Sequence, residues 1–263
     1  MLITGAVVQT TEMTTYEKWA ITLSILAILI PIIQWAWRKW VSKPVLRHLP
    51  TGRAFLFINR SGSYIQIEGV YEAENKPISV KNIKLKVIRE QDNNMLNLSW
   101  STFTSPVNQK FVGNYTSTSE VAHPFRIEAN NVVCAFTEFS DFYDSSAKMF
   151  QPYYDALVKD VQELVKPEIT YEKAHNKFIE LNSYKEAKAF LGKILFWEIG
   201  KYEAILEVEY NKIKVFFKYM FDVSKEDYDH LNNNLNETIL APLKDVYGIP
   251  YAFQVVKVEL YAK

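Results

Sequence analysis

Residues Trp19–Trp40 read WAITLSILAILIPIIQWAWRKW, with no charged side chain from Trp19 to Trp37. At about 1.5 Å per residue, such a run extends about 28 Å as a helix, close to the roughly 30 Å hydrocarbon core of a bilayer. Trp19 stands at one end and Trp35, Trp37 and Trp40 at the other, which is the aromatic belt of a spanning helix. Pro31 falls inside the run, and a spanning helix tolerates it. A secretory signal would open on bases and close on small residues. Here the bases come last. An interfacial helix would carry a charged face, and this run has none. The stretch predicts a transmembrane helix over 19–40, preceded by a short extracytoplasmic segment, 1–18.

Orientation follows from the flanks. Arg38, Lys39, Lys43, Arg47 and Arg53 follow the run with no acid before Glu68, whereas Glu12, Glu17 and a single Lys18 precede it. The positive-inside rule places the C-terminal side in the cytoplasm. Each base at an anionic leaflet adds on the order of 1 kcal/mol of attraction. The expected location is therefore the cell inner membrane, single-pass, with the N-terminus outside and the lipid bilayer as first partner. Trp19, Trp35, Trp37, Arg38, Lys39 and Trp40 are the expected anchor. Thr22, Ser24 and Gln34 offer polar groups to a neighbouring helix, and Ser24 and Ala27 are small residues three apart. These four are the expected helix-packing residues of a homo-oligomer or protein complex.

A basic linker, 41–53, is expected next, with Leu49-Pro50-Thr51-Gly52 as a turn. Period-2 segments follow. AFLFINR (54–60) and SYIQIEGVYEAE (63–74) flank a Ser61-Gly62 turn. In VKNIKLKVIRE (80–90), Ile83, Leu85 and Val87 alternate with Asn82, Lys84 and Lys86, so the lysines line a solvated sheet face. MLNLSWSTF (95–103) precedes a long polar loop, and AHPFRIEA (122–129) and NVVCAFTEFSDF (131–142) complete about six strands. In strand count and length this segment resembles Ig-like modules, without a Cys…Trp…Cys core. That resemblance implies a β-sandwich domain over 54–145.

The period lengthens near residue 150. Tyr154, Leu157, Val161 and Leu164 recur at spacings of three and four, a helical stripe over 153–165. Helices are expected over 169–182, capped by Thr170, and over 184–194, capped by Ser183. YEAILEVEY (202–210) and IKVFFKYMFDV (213–223) read as a hairpin around Asn211-Lys212. Ser224 and Asp227 open a helix bearing Leu231, Leu235 and Ile239, limited by Pro242 and Gly248. YAFQVVKVELY (251–261) reads as a final strand. The expectation for 150–263 is an α+β domain with an antiparallel sheet.

Lys+Arg and Asp+Glu balance at 30 each, which gives no general pull toward nucleic acid. The one cysteine, Cys134, lies in the apolar stretch VVCAF, where a small core residue fits better than a reactive thiol. His48, His123, His175 and His230 lie in separate segments with no metal-ligand spacing, and His48 is expected at the headgroup level. Glu138, Asp141 and Asp144 lack calcium-loop spacing. The sequons at Asn59, Asn97, Asn114 and Asn236 are read as chance. No phosphate-cradling loop, nucleophile elbow, HExxH or CxxC occurs. No catalytic, metal or cofactor residue is expected, and the ligand is left open.

One membrane segment ahead of a cytosolic β-domain resembles the layout of bacterial defence proteins, antiviral defence included, and of stress proteins. The expected role is a membrane-anchored cytoplasmic sensor, adaptor or effector subunit that binds a partner or ligand at the inner membrane face. Two alternatives remain: an oligomeric pore-forming effector, and an enzyme whose site assembles only in three dimensions.

Overall fold

The computed structural model describes residues 13–111, 114–141 and 145–263. Glu12, Asp144, most of the 1–18 segment and the side chains of Arg38 and Asn114 lie outside the described residues. The chain divides into two compact units, Met1–Pro44 and Val45–Lys263.

In the first unit, α1 (Thr15–Ala36) passes into a π-helical turn, Trp37–Val41. The helix starts ahead of Trp19 because Thr14 and Glu17 form a capping box. Glu17 N–H donates to Thr14 Oγ1 at 3.3 Å, and Thr14 N–H donates to Glu17 Oε2 at 2.8 Å, which satisfies two of the orphan donors of the first turn. The acceptor role holds the Glu17 carboxyl below its usual range, the bond from the Thr14 backbone contributing most. α1 is long and apolar enough to cross a membrane, with a mean hydropathy of 2.0 over its most apolar 18 residues and no buried residue.

The second unit holds β1 (Val45–Asn59), β2 (Gly62–Glu74), β3 (Ile78–Arg89), β4 (Met95–Phe111), β5 (Asn114–Val121), β6 (Phe125–Ile127) and β7 (Asn131–Ser140). Next come α2 (Ser145–Leu164), α3 (Tyr171–Phe178), α4 (Asn182–Ile194), β8 (Gly200–Tyr210), β9 (Ile213–Val223), α5 (Lys225–Tyr247), β10 (Val256–Glu259) and β11 (Tyr261–Ala262). All strands join one 11-stranded sheet in the order β10-β1-β2-β7-β4-β3-β8-β9-β11, with β5 on β4 and β6 on β3. Each described pairing is antiparallel. β10 pairs with β1 and β11 with β9, and only Leu260 separates them. The C-terminal strand thus bridges the two ends of the sheet and makes it barrel-like.

This arrangement corrects the expected division. β3 pairs with β8 over nine positions, from Val80↔Tyr210 to Arg89↔Tyr202, so 54–145 is not a separate Ig-like sandwich and 150–263 is not a separate α+β domain. Both supply strands to one sheet because their one-sided apolar faces line one core. Ile83, Leu85 and Val87 share it with Ala204, Leu206 and Val208. The lysine face of β3 does point outward, as its alternation predicts.

Other expectations shift locally. The linker 41–53 ends early: β1 begins at Val45, and Pro50–Ala54 is a register irregularity within it, with Gly52 at φ 81°. The polar loop after Phe103 is the β4–β5 hairpin. Ser183 does not cap α4; its hydroxyl donates to Asp160 instead. Thr170 sits at the α3 N-cap without a side-chain bond. Pro242 lies inside α5, whose end is set by Gly248. Cys134 is on β7 but exposed. The Asn211-Lys212 loop holds, with both residues at positive φ, as a tight hairpin requires.

His48 is not at the surface. It is 5 % exposed and links β1 to β9, its Nδ1 lying 2.6 Å from Tyr219 Oη. Its ring lies 4.6 Å from Tyr71. It fits because Gly69 faces it: a Cβ there would come within 2.2 Å of His48 Nε2. Burial lowers the His48 pKa to about 4 and pushes the Tyr71 and Tyr219 phenols up.

Two outcomes follow from β1. A fragment starting at Pro44 should melt cooperatively, whereas one starting at Ala54, which lacks the first half of β1, should not. Below pH 6.5 the unfolded chain binds a proton that folded His48 refuses until about pH 4. Stability should therefore fall as pH drops through that window, by about 3 kcal/mol in urea titrations. His48→Phe should remove that part of the slope.

Candidate functional site

α5 stops at Gly248, a left-handed C-cap with φ 63°, and Ile249 N–H closes the cap on Lys244 C=O at 2.9 Å. Pro250 cannot continue a helix and biases Ile249 away from helical geometry. Residues 251–255, YAFQV, then lead into β10 without a strand partner. The expected strand 251–261 is thus real only from Val256, and the reason is a fork in the sheet.

β10 and β1 are paired from Arg53↔Glu259 to Leu56↔Val256. Continued, that register would set Ile58 against Gln254. Instead α5 takes the place of β1. Gln254 N–H donates to Asn234 Oδ1 at 2.8 Å, and Asn234 Nδ2 donates to Gln254 C=O at 2.7 Å. Two positions upstream, Ala252 N–H donates to Glu237 Oε2 at 2.9 Å. Lys244 Nζ lies 2.6 Å from the same oxygen. Asn234, Glu237 and Lys244 are all buried, so their polar groups are spent on this segment and on each other. On the β1 side, the Trp197 indole donates to Phe57 C=O at 3.3 Å.

Two adjoining clefts of about 280 and 340 Å³ lie along the fork and share Asn59. The first lies among Phe55, Phe57, Tyr64 and Val255, with Gln66 and Glu138 at its margin. The second lies among Arg60, Tyr154, Asp245, Tyr251 and Phe253. Their rings form a chain: Tyr64 is 6.1 Å from Phe57, Phe57 is 5.8 Å from Phe253, and Phe253 is 5.6 Å from Tyr251. The Arg60 guanidinium sits 5.3 Å over Tyr154. Tyr251 donates to Asp245, which pushes its phenol up to about 12 and keeps it a donor. Shallow, aromatic and edged by amides and carboxylates, this groove is suited to binding. Among the described residues, no group of three or more His, Cys, Asp or Glu could hold a metal ion.

The residues singled out from the sequence lie elsewhere, in the first unit. Trp19, Thr22, Ser24, Ala27, Gln34 and Trp35 are on α1; Trp37, Arg38, Lys39 and Trp40 are in the π-helical turn. Trp35 and Trp40 meet edge to face at 5.7 Å, with Lys39 Nζ 4.7 Å from the Trp35 ring. Thr22 and Ser24 donate to the carbonyls of Lys18 and Ala20, each at 2.8 Å. At about 100° per residue, Ser24, Ala27 and Gln34 share one face and Thr22 lies opposite. Sequence reasoning missed Asn234, Glu237, Lys244, Tyr251 and Phe253. The available signal was Gly248-Ile249-Pro250, a helix stop followed by a forced extended start.

No family model matches the chain, and no curated protein matches it in sequence. Among solved structures, a family 123 glycoside hydrolase from Clostridium perfringens is similar at 9 % identity and a TM-score of 0.31, over 68 % of this chain and 27 % of that one. Spo0M, a sporulation control protein from Bacillus subtilis, is similar at 7 % identity and a TM-score of 0.22, over 75 % of this chain and 55 % of that one. The chain therefore spans about a quarter and about half of these two proteins, and likenesses this slight carry no argument about fold or function.

The pinning of 251–255 is testable. Lys244→Ala strands Glu237 as an unpaired buried carboxylate and should destabilise the fold by about 3–5 kcal/mol in urea titrations. In amide exchange, Ala252 and Gln254 should be protected, and Phe253 and Val255 should exchange fast.

Proposed function

We propose that this chain is a single-pass membrane protein whose 45–263 unit is a non-enzymatic binding module, a sensor, adaptor or effector subunit, held at the inner face of the cell inner membrane. The observation that carries it is α1, whose most apolar 18 residues have a mean hydropathy of 2.0 and which has no buried member. Eleven of the residues from Trp19 to Trp35 are Ile, Leu or Trp, all of them exposed. Lipid is the environment that covers such a surface all round. The bases after the span and the acids before it support an outside N-terminus and a cytoplasmic C-terminus. The aromatic groove supplies the binding surface, and its rings and amides favour association over turnover.

The span also supports assembly with a second copy. Ala20, Ser24, Ala27, Pro31 and Gln34 recur at spacings of four, three, four and three. They fall within about 80° of one another on a helix of about 100° per residue. With Thr22 aside, every other position from Trp19 to Trp35 is Ile, Leu or Trp. Small residues in that rhythm let two helices approach closely with a left-handed crossing. The hydroxyls of Thr22 and Ser24 are already donated within the helix, which favours close packing over the polar lining a pore needs.

A reporter fused after Lys263 should behave as cytoplasmic; activity only of an extracytoplasmic reporter there would refute the orientation. Ser24→Leu with Ala27→Leu should reduce self-association in detergent at least several-fold, while Ile25→Leu with Ile28→Leu should leave it unchanged. Equal association in both pairs would leave α1 a passive tether.

A further inference from the structure

We propose that Tyr251–Val255 is a docking edge for an extended peptide strand of a protein partner, a mode of binding that rests on the binding-module reading proposed above and not on its membrane topology. Along this segment the backbone N–H groups are satisfied at alternate residues. Ala252 N–H and both polar groups of Gln254 are bonded to α5 side chains. The N–H and C=O groups of Tyr251, Phe253 and Val255 make no hydrogen bond among the described residues. In a strand-like chain, the polar groups of successive residues point to opposite edges. One edge of 251–255 is therefore closed by α5, and the other offers three donors and three acceptors.

Such an edge is a hazard, and proteins blunt it with lysine, proline, a bulge or a cover. None of those devices acts between Tyr251 and Val255. Residues 249–255 contain no charge, and Pro250 stands before the open positions. At the three open positions the side chains are apolar and exposed: Tyr251 is 45 % exposed, Phe253 37 % and Val255 62 %. The segment is also fixed in place rather than loose. A buried amide and a buried Glu–Lys pair, both costly to desolvate, hold it from one side, and the Gly248 cap and Pro250 set its start. Rigidity of this kind lowers the entropy lost when a strand docks.

Strand addition uses these features together. Main-chain bonds supply affinity and alternate side chains supply selectivity. The partner's alternate residues would meet the row of Tyr251, Phe253 and Val255 and the adjoining Phe57 ring. Aliphatic or aromatic residues in every second position are thus the chemistry this edge selects.

The test is a display library of random 12-residue peptides, panned against the full chain in detergent micelles. The expected winners alternate apolar and polar residues. They should bind at least tenfold more weakly to Phe253→Pro and to Val255→Pro, each of which removes an N–H that the fold leaves unused, with no change in melting. N-methylation scanned along a winning peptide should weaken binding at every second position only, a readout that needs no protein variant. No enriched peptide, equal binding to the proline variants, or an N-methyl scan without alternation would each overturn the proposal. So would a proline variant that turns a dimer of the chain into a monomer, because the edge would then belong to a second copy. Binding in micelles is independent of orientation, so failure here leaves the topology result standing, and failure of the topology test leaves this edge untouched.

Discussion

The 45–263 unit depends on how its last strand is shared. β1 and β9 are the two edges the sheet would otherwise expose, and one short strand covers both. β10 takes β1 from Arg53 to Leu56, and β11 takes β9 at Tyr219 and Met220. Between them, Leu260 is buried and its N–H donates to Gly52 C=O at 2.9 Å. The final residue continues the seam. Lys263 N–H reaches Lys218 C=O at 3.2 Å and its ammonium reaches Glu203 at 3.1 Å. Closure of this kind removes most open edge. Inside the same seam, His48 contacts Tyr219 directly, so the first and ninth strands are tied through side chains as well as through a third strand.

One stretch escapes closure, and α5 explains why. Upstream of Val256 the C-terminal chain leaves β1 and is held by helix side chains. Asn234 does for Gln254 what a neighbouring strand would do, since a carboxamide carries the same donor and acceptor as a peptide group. Glu237 serves Ala252 likewise, and Lys244 makes its charge tolerable in a buried place. Helix and sheet are thereby joined through hydrogen bonds that no apolar packing could supply. The clefts along Phe57 and Phe253 are the space left where the two strands part.

Much of this fold was legible. The β3 alternation, the Asn211-Lys212 loop, the Ser224 capping box and the Gly248 stop all express local physics, and local physics is what a sequence displays. The division into domains was not legible. A strand with one apolar face declares that it covers a core without saying which strand lies beside it, so the β3–β8 pairing is invisible until both faces are known. His48 misled for a similar reason. Its place in a basic flank suggests a surface, yet its burial is permitted by Gly69, 21 positions away. Of the site, only the helix stop and Pro250 could be read. Asn234 and Glu237 look like ordinary solvated helix residues because their partners are backbone groups beyond the helix end, and Lys244 because its partner is Glu237, itself such a residue. The apolar helix was readable at once, since nineteen residues without charge need no partner to be informative.

Folded chains put apolar groups inside and polar groups outside, and the informative positions are the ones that invert this. Two of the inversions among the described residues differ in kind. α1 is apolar outward over most of its circumference, which a lipid environment would resolve without help from the rest of the protein. At the fork both halves of the rule are reversed within a few residues: Asn234, Glu237 and Lys244 are inside, while Tyr251, Phe253 and Val255 are outside. The two halves depend on each other, because the buried polar groups are what keep the exposed apolar row from folding back onto the sheet. A mere packing defect would be relieved by replacing the trio with aliphatic residues, which is often neutral or stabilising at buried ion pairs. Such a replacement would also release 251–255. Conflict between stability and the presentation of a surface is the pattern expected at a functional site, and it is the reason for proposing this fork as one.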